Sequence, residues 1–206
     1  MIRRLVLLAL TVATLAMPLA TRAADTVEVG GVKLDTTAQV GGSKLQLNGA
    51  GVRYKAVFKV YTAGLYLNNK VTTADAALAA TGPRRIHIVM LREIDANELG
   101  KLFTKSMEQN ASREEFSKII PGVIKMGEIF SQRKKLAAGE YFSIDYLPGV
   151  GTSIVVMGKP AADPIKEPEF FSALMKIWLG RSPADAQLKE ALLGKASGSG
   201  QKDPFN

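Results

Sequence analysis

Apolar and polar residues alternate one by one in the first stretch of the chain that reads as strand. "VEVGGVKLD" alternates on both sides of Gly30 and Gly31, which predicts a β-hairpin. "KLQLNG" and then Val57 to Leu67 continue the strand pattern. "TADAALAA" reads as one short helix and "RRIHIVML" as a return to strand. The period then lengthens. Asp95 with Glu98, and Ser112 with Glu115, fit the arrangement in which a side-chain oxygen accepts from the orphan amides of a helix start. Pro121 and Gly122 fall inside the second of these helices and predict a kink or a split. Arg133, Lys134 and Lys135 at its far end would complement the helix dipole.

"EYFSIDYL" and "TSIVVMG" read as two strands joined by turn residues Pro148 to Gly151. The chain closes with a helix from Pro168 to Leu179 and another with Ser182 as cap, Pro183 in the first turn and Gly194 as stop. Strands and helices fall largely in separate blocks, so the predicted class is α+β with a large, mostly antiparallel sheet. A composition of 47% hydrophobic and 22% charged residues suits a single domain with a real core.

Two end segments stand apart. "MIRR", "LVLLALTVATLA" and "MPLATRA" give the positive, apolar and small-residue order of a secretory leader, with cleavage expected after Ala23. The apolar run is shorter than the ~18 to 20 residues of a membrane-spanning helix. Residues 1–23 are therefore read as a signal peptide, 24–194 as the folded domain, and 195–206, "KASGSGQKDPFN", as a disordered tail. The expected location is periplasmic or secreted. Of the net charge of +8, three positive charges (Arg3, Arg4 and Arg22) lie in the leader, so the remainder carries +5. That excess favours anionic ligands or headgroups only mildly.

The residue inventory excludes much chemistry. The chain has no cysteine and one histidine, so disulfides, thiolate metal sites and the usual zinc ligand sets cannot be assembled, and no metal or cofactor is expected. His87 sits mid-strand, and no serine lies in a nucleophile elbow. "PGVGTS" lacks the Gly-Lys-Ser/Thr that completes a phosphate loop. The basic residues are scattered rather than interleaved with aromatics, which argues against nucleic acid.

Arg53 is the residue that asks for an explanation. It ends the glycine-rich step "NGAGVR" and precedes a strand-forming run. A guanidinium cannot shed its charge, so if it points inward it must meet an anion or several acceptors. Tyr61 and Tyr66 follow, but on one straight strand Arg53 and Tyr61 would lie ~26 Å apart. They converge only if the chain turns near Tyr54 to Ala56, where no glycine or proline marks a turn. On the predicted helices, Leu102 and Gln109 are seven residues apart and share a face, with Ser106 near them. Phe170, Leu174 and Ile177 line a stripe with Phe171 and Trp178 beside it.

"NGAGVR" followed by "FKVYTAGLYL" resembles the chalcone isomerase superfamily, whose pattern is Gly-x-Gly-x-Arg and then Phe/Ile-Lys-x-x-x-x-Gly-x-Tyr-Leu. "KSMEQ", "FFSALMKIWLG" and "SPADAQLK" extend the likeness from about Val27 to Leu193. The resemblance implies an open-faced β-sandwich, a large antiparallel sheet covered by a layer of helices with the ligand cleft between them, and a turn between Arg53 and Tyr61. It places the cleft arginine at Arg53, the enzyme's strand threonine at Tyr61, its helix tyrosine at Leu102, its helix asparagine at Gln109 and its late-helix threonine or serine at Ile177. Four of these five positions depart from the enzyme. Leu102 has no hydroxyl for a developing ketone charge and Ile177 none for a ring hydroxyl, so efficient chalcone closure is not expected.

An arginine with a tyrosine at the strand position instead resembles the fatty-acid-binding branch. Three readings follow. The first is an exported, non-catalytic binder of a fatty acid or similar apolar anion held at Arg53. The second is an isomerase, or intramolecular lyase, acting on a chalcone-like or other phenolic or enone substrate, again with Arg53 as anchor. The third is an interaction module at a membrane surface that uses Arg84, Arg85, Lys101, Lys105 and the Arg133 to Lys135 cluster.

Overall fold

The computed structural model describes residues 25–195; the expected leader and the tail beyond Lys195 lie outside them. In chain order the elements are β1 (Thr26–Val29), β2 (Val32–Asp35), β3 (Thr37–Val40), β4 (Ser43–Lys55), β5 (Phe58–Leu67), α1 (Ala74–Ala79), β6 (Arg84–Met90), β7 (Ile94–Asp95), α2 (Ala96–Gln109), α3 (Arg113–Ser131), β8 (Lys135–Leu136), β9 (Tyr141–Leu147), β10 (Gly151–Val156), β11 (Lys159–Pro160), α4 (Pro168–Leu179) and α5 (Ala186–Leu192). Seven strands form one antiparallel sheet in the order β11-β10-β9-β6-β5-β4-β3. The α+β class and the sheet covered by helices are as the sequence implies.

The main core lies between one face of the sheet and the helices. Tyr61, Leu65, Ile86, Ile88, Phe142 and Ile144 meet Leu99, Phe103, Met126, Phe130, Phe170, Leu174 and Trp178 there. Phe103 sits at the centre of an aromatic cluster, edge-on to Phe130 at 5.9 Å and to Trp178 at 5.4 Å. The opposite face of β4 and β5 is covered by the β1–β2 hairpin. The Thr62 hydroxyl donates to the Val29 carbonyl at 3.2 Å and the Tyr66 hydroxyl to that of Asp35 at 2.9 Å. β5 is consequently buried on both faces from Val60 to Leu67, which explains its unbroken apolar run.

Several local expectations change. The chain reverses between β4 and β5 through the two-residue turn Ala56–Val57, with Ala56 at φ +52°, a conformation that glycine usually supplies. α3 runs through Pro121 without splitting. Gly122 beside it serves packing, because a Cβ there would lie 2.5 Å from Phe170 and 2.7 Å from Ile165. α3 ends at Ser131 with no basic residue in its last turn, so Arg133 and Lys134 lie past the helix and Lys135 opens β8. The last helix starts at Ala186 rather than near Pro183. Asp185 caps it by accepting from the amides of Gln187 and Leu188 at 2.8 and 3.0 Å.

Candidate functional site

The glycines of "NGAGVR" acquire a mechanical reason. Gly49, Gly51 and Arg53 alternate onto the helix face of β4, where successive side chains point to opposite sides. A Cβ on Gly51 would lie 2.7 Å from that of Ala191, and one on Gly49 would collide with the Ala191 carbonyl. The two glycines form a bare trough in which α5 rests directly on the strand. α5 therefore runs along β4 with its capping residue beside the end that carries Arg53, and the Asp185 carboxylate also accepts from the Tyr54 amide at 2.9 Å.

Two bulges set the register. Asn48 is the extra residue opposite the Leu65–Tyr66 step, and its buried amide donates to the Leu192 carbonyl and accepts from the Val71 amide, both at 2.7 Å. Val60 is the extra residue on β5. With that offset, Arg53 and Tyr61 face each other as a cross-strand pair, and the 26 Å separation of a straight strand disappears.

The Arg53 guanidinium carbon stands 5.5 Å from the centroid of the Tyr61 ring. Its Nε is buried without a hydrogen-bond partner, and Arg53 makes no ion pair among the described residues. Tyr61 is fully buried, and its hydroxyl oxygen accepts from the Trp178 indole N–H at 2.9 Å. Burial pushes the Tyr61 phenol up to about 12, against the opposing pull of Arg53 and of the Trp178 hydrogen bond. The hydroxyl thus keeps its proton at any physiological pH, and that proton has no acceptor among the described residues. An unneutralised cation, a donor hydroxyl and aromatic walls stand together.

A family model described as chalcone isomerase-like matches residues 26–194. The chain belongs to the chalcone isomerase-like family. No curated protein sequence matches it. Among solved structures, a fatty-acid binding protein of Arabidopsis thaliana is similar, with a TM-score of 0.68 at 15% identity, covering 84% of this chain and 98% of that one. At that identity the likeness speaks for the chalcone isomerase-like fold.

Within that fold the other candidate positions are more dispersed. Ile177 is buried in α4 next to Trp178. The buried stripe of α2 is Ala96, Leu99, Gly100, Phe103 and Met107, which leaves Leu102 half-buried and Gln109 exposed at the helix end. Gln109 makes no hydrogen bond to Arg53 or Tyr61. A cavity of about 490 Å³ lies between α2 and α3, lined by Gly100, Thr104 and Glu108, and another of about 420 Å³ on the outer sheet face by Lys33, Tyr66, Arg85 and His87. Neither is lined by any of the five candidates. Trp178, which the sequence places beside the α4 stripe, joins the site as the partner of the Tyr61 hydroxyl, whereas Asp185 joins it unannounced, since a cap that reaches across to β4 leaves no local signature.

Several of the basic residues considered for a membrane surface have partners within the protein. Arg84 is buried against the paired rings of Tyr146 and Phe171, at 4.7 and 4.9 Å from their centroids, and donates to the Leu78 carbonyl. Arg85 is locked to Asp145 by two 2.6 Å hydrogen bonds. Lys101, Arg133 and Lys135 face Glu98, Glu140 and Glu93. No helix among the described residues is long and apolar enough to cross a membrane, and none of their acidic or histidine side chains cluster in a metal-holding group.

Proposed function

We propose that this protein binds a fatty acid or a similar apolar anion without transforming it, with the Arg53 guanidinium holding the carboxylate and the Tyr61 hydroxyl donating a second hydrogen bond. The observation that carries the reading is the Arg53–Tyr61 pair itself: a permanent cation with a free donor atom, laid over a tyrosine that must stay protonated. A carboxylate satisfies both groups at once and leaves its tail to apolar surroundings. The similar plant structure is described as a fatty-acid binding protein, which agrees with this ligand class. An isomerase reading has less support, because Leu102 and Ile177 bring no polar group to a reacting ketone.

The test is calorimetry with a long-chain fatty acid and with the matching fatty alcohol. The acid should bind and the alcohol bind weakly. Arg53→Ala should lower acid affinity roughly 10- to 100-fold, the scale of a lost charge-assisted contact, and erase the preference over the alcohol. Flat titrations, or a preference unchanged in Arg53→Ala, refute the proposal. The same reading has the protein exported, with residues 1–23 removed. Mass spectrometry of protein from its own host should then give a chain beginning at Ala24, and an intact N-terminus would contradict it.

A further inference from the structure

The tip of the β4–β5 hairpin is the most exposed apolar feature among the described residues. Val57 is 83% exposed, Phe58 58% and Tyr54 40%. Phe58 shares one face of the hairpin with Lys55 and Tyr54 the other with Lys59, with Val57 in the turn that joins the two strands. Cations surround them. The segment from Arg53 to Val60, "RYKAVFKV", contains three basic residues and no acid, and Arg92 from the strand-end loop after β6 places its guanidinium 5.0 Å from the Phe58 ring. Of the nearby acids, Glu93 is paired with Lys135, and Asp185, which accepts only from neutral amides, leaves one negative charge against the four positive ones of Arg53, Lys55, Lys59 and Arg92.

An apolar tip flanked by an excess of cations has the chemistry of a surface that meets water-facing anions and hydrocarbon together. We propose that the β4–β5 hairpin docks on an anionic lipid bilayer, with Val57 and Phe58 entering the acyl boundary and Lys55, Lys59 and Arg92 meeting lipid phosphates. Long basic side chains can keep their charge at the headgroups while their stems lie along apolar surface. The proposal stands on the hairpin alone and does not require a ligand at Arg53.

The experiment uses the protein as its host produces it, with Phe58→Trp as reporter. The native Trp178 is fully buried, so a change on adding lipid belongs to the new indole. With vesicles of mixed phosphatidylglycerol and phosphatidylcholine, the reporter emission should shift to the blue and be quenched by brominated acyl chains, and pure phosphatidylcholine should give at least tenfold weaker partition. Val57→Asp with Phe58→Asp, and separately Lys55→Glu with Lys59→Glu, should each lower partition of the parent chain at least tenfold while thermal melts stay unchanged, because all four side chains are solvent-facing. Moderate salt should weaken binding. The idea is overturned if the protein ignores the vesicles, or if it binds while the reporter stays open to aqueous iodide and closed to brominated lipid. It is equally overturned if Val57→Asp with Phe58→Asp abolishes self-association in lipid-free sedimentation, which would assign the tip to a second copy of the chain.

Discussion

Replacing Tyr61 by Phe removes one oxygen from a fully buried site and leaves the aromatic ring in place. The Trp178 indole N–H, 2.9 Å from that oxygen, then has no acceptor, and neither residue exposes surface to solvent in the ligand-free fold. A buried donor without a partner costs about 1–3 kcal/mol, so Tyr61→Phe should destabilise by that amount with little packing loss. Trp178→Phe removes the donor and leaves a void beside Phe103, for a loss of about 2–3 kcal/mol. In the double variant the void remains but no polar atom is stranded, so the two losses should not add; the expected coupling is about 1–2 kcal/mol. Urea unfolding followed by far-UV circular dichroism measures it, because Trp178 is the sole tryptophan and fluorescence is lost in half the cycle. Equal denaturant slopes would show that the compared states are alike. Additivity within about 0.5 kcal/mol would refute the hydrogen bond and the protonated, donor-ready Tyr61 built on it.

Further outcomes follow from other parts of the molecule. Burial, aided by the Arg85 cation and opposed by Asp145 and Asp35, pushes the His87 imidazole down to about 4, so between that value and its ordinary ~6.5 the unfolded chain holds the proton and the folded chain does not. Stability should accordingly be full above pH ~6.5 and fall by about 1–2 kcal/mol, allowing for partial exposure, on acidification towards 4; His87→Gln should remove that slope from a pH series of urea midpoints. Gly49→Ala drives a Cβ into the Ala191 carbonyl and to 2.8 Å from the Gly194 nitrogen, all backbone, and should cost about 3 kcal/mol or more, whereas Gly31→Ala, strained only by its φ of +88°, should cost about 1 in the same melts. Asp185→Asn keeps a helix cap but denies the Tyr54 amide its acceptor, so stability should drop by about 1–2 kcal/mol. The same change removes a negative charge that acts on Tyr61, and fatty-acid affinity should rise a fewfold in calorimetry.

Features written in local chemistry were legible in the sequence. The Gly30–Gly31 hairpin, the Asp95 cap, the Ser112–Glu115 capping box and the Pro168 to Leu179 helix all appear where the residues announce them. Features decided by tertiary contact were not. The turn at Ala56–Val57 carries no glycine, and the strain is tolerated because the long, bulged β4–β5 ladder holds both arms. α3 continues past Pro121 because Gly122 lets it nest on α4, and packing outweighs one missing amide. α5 starts late because Asp185 serves the helix and the neighbouring strand together, an advantage that spacing from Ser182 cannot reveal. At the site, Arg53 stood out because its charge was unexplained. The spacing of Leu102 and Gln109 fixed their relation to each other but not which face α2 would turn inward.

The trough left by Gly49 and Gly51 also bears on how the chain completes its folding. Its occupant arrives 144 positions later in the chain, as the Asn48 clamp on Leu192 shows, so the sheet must wait for the most distant of partners before that flank is dry. Until then β4 exposes a strip of naked backbone that another strand or helix could usurp. Interruption of synthesis before Asp185 should therefore yield a sticky, incompletely closed sheet rather than a slightly shorter native protein.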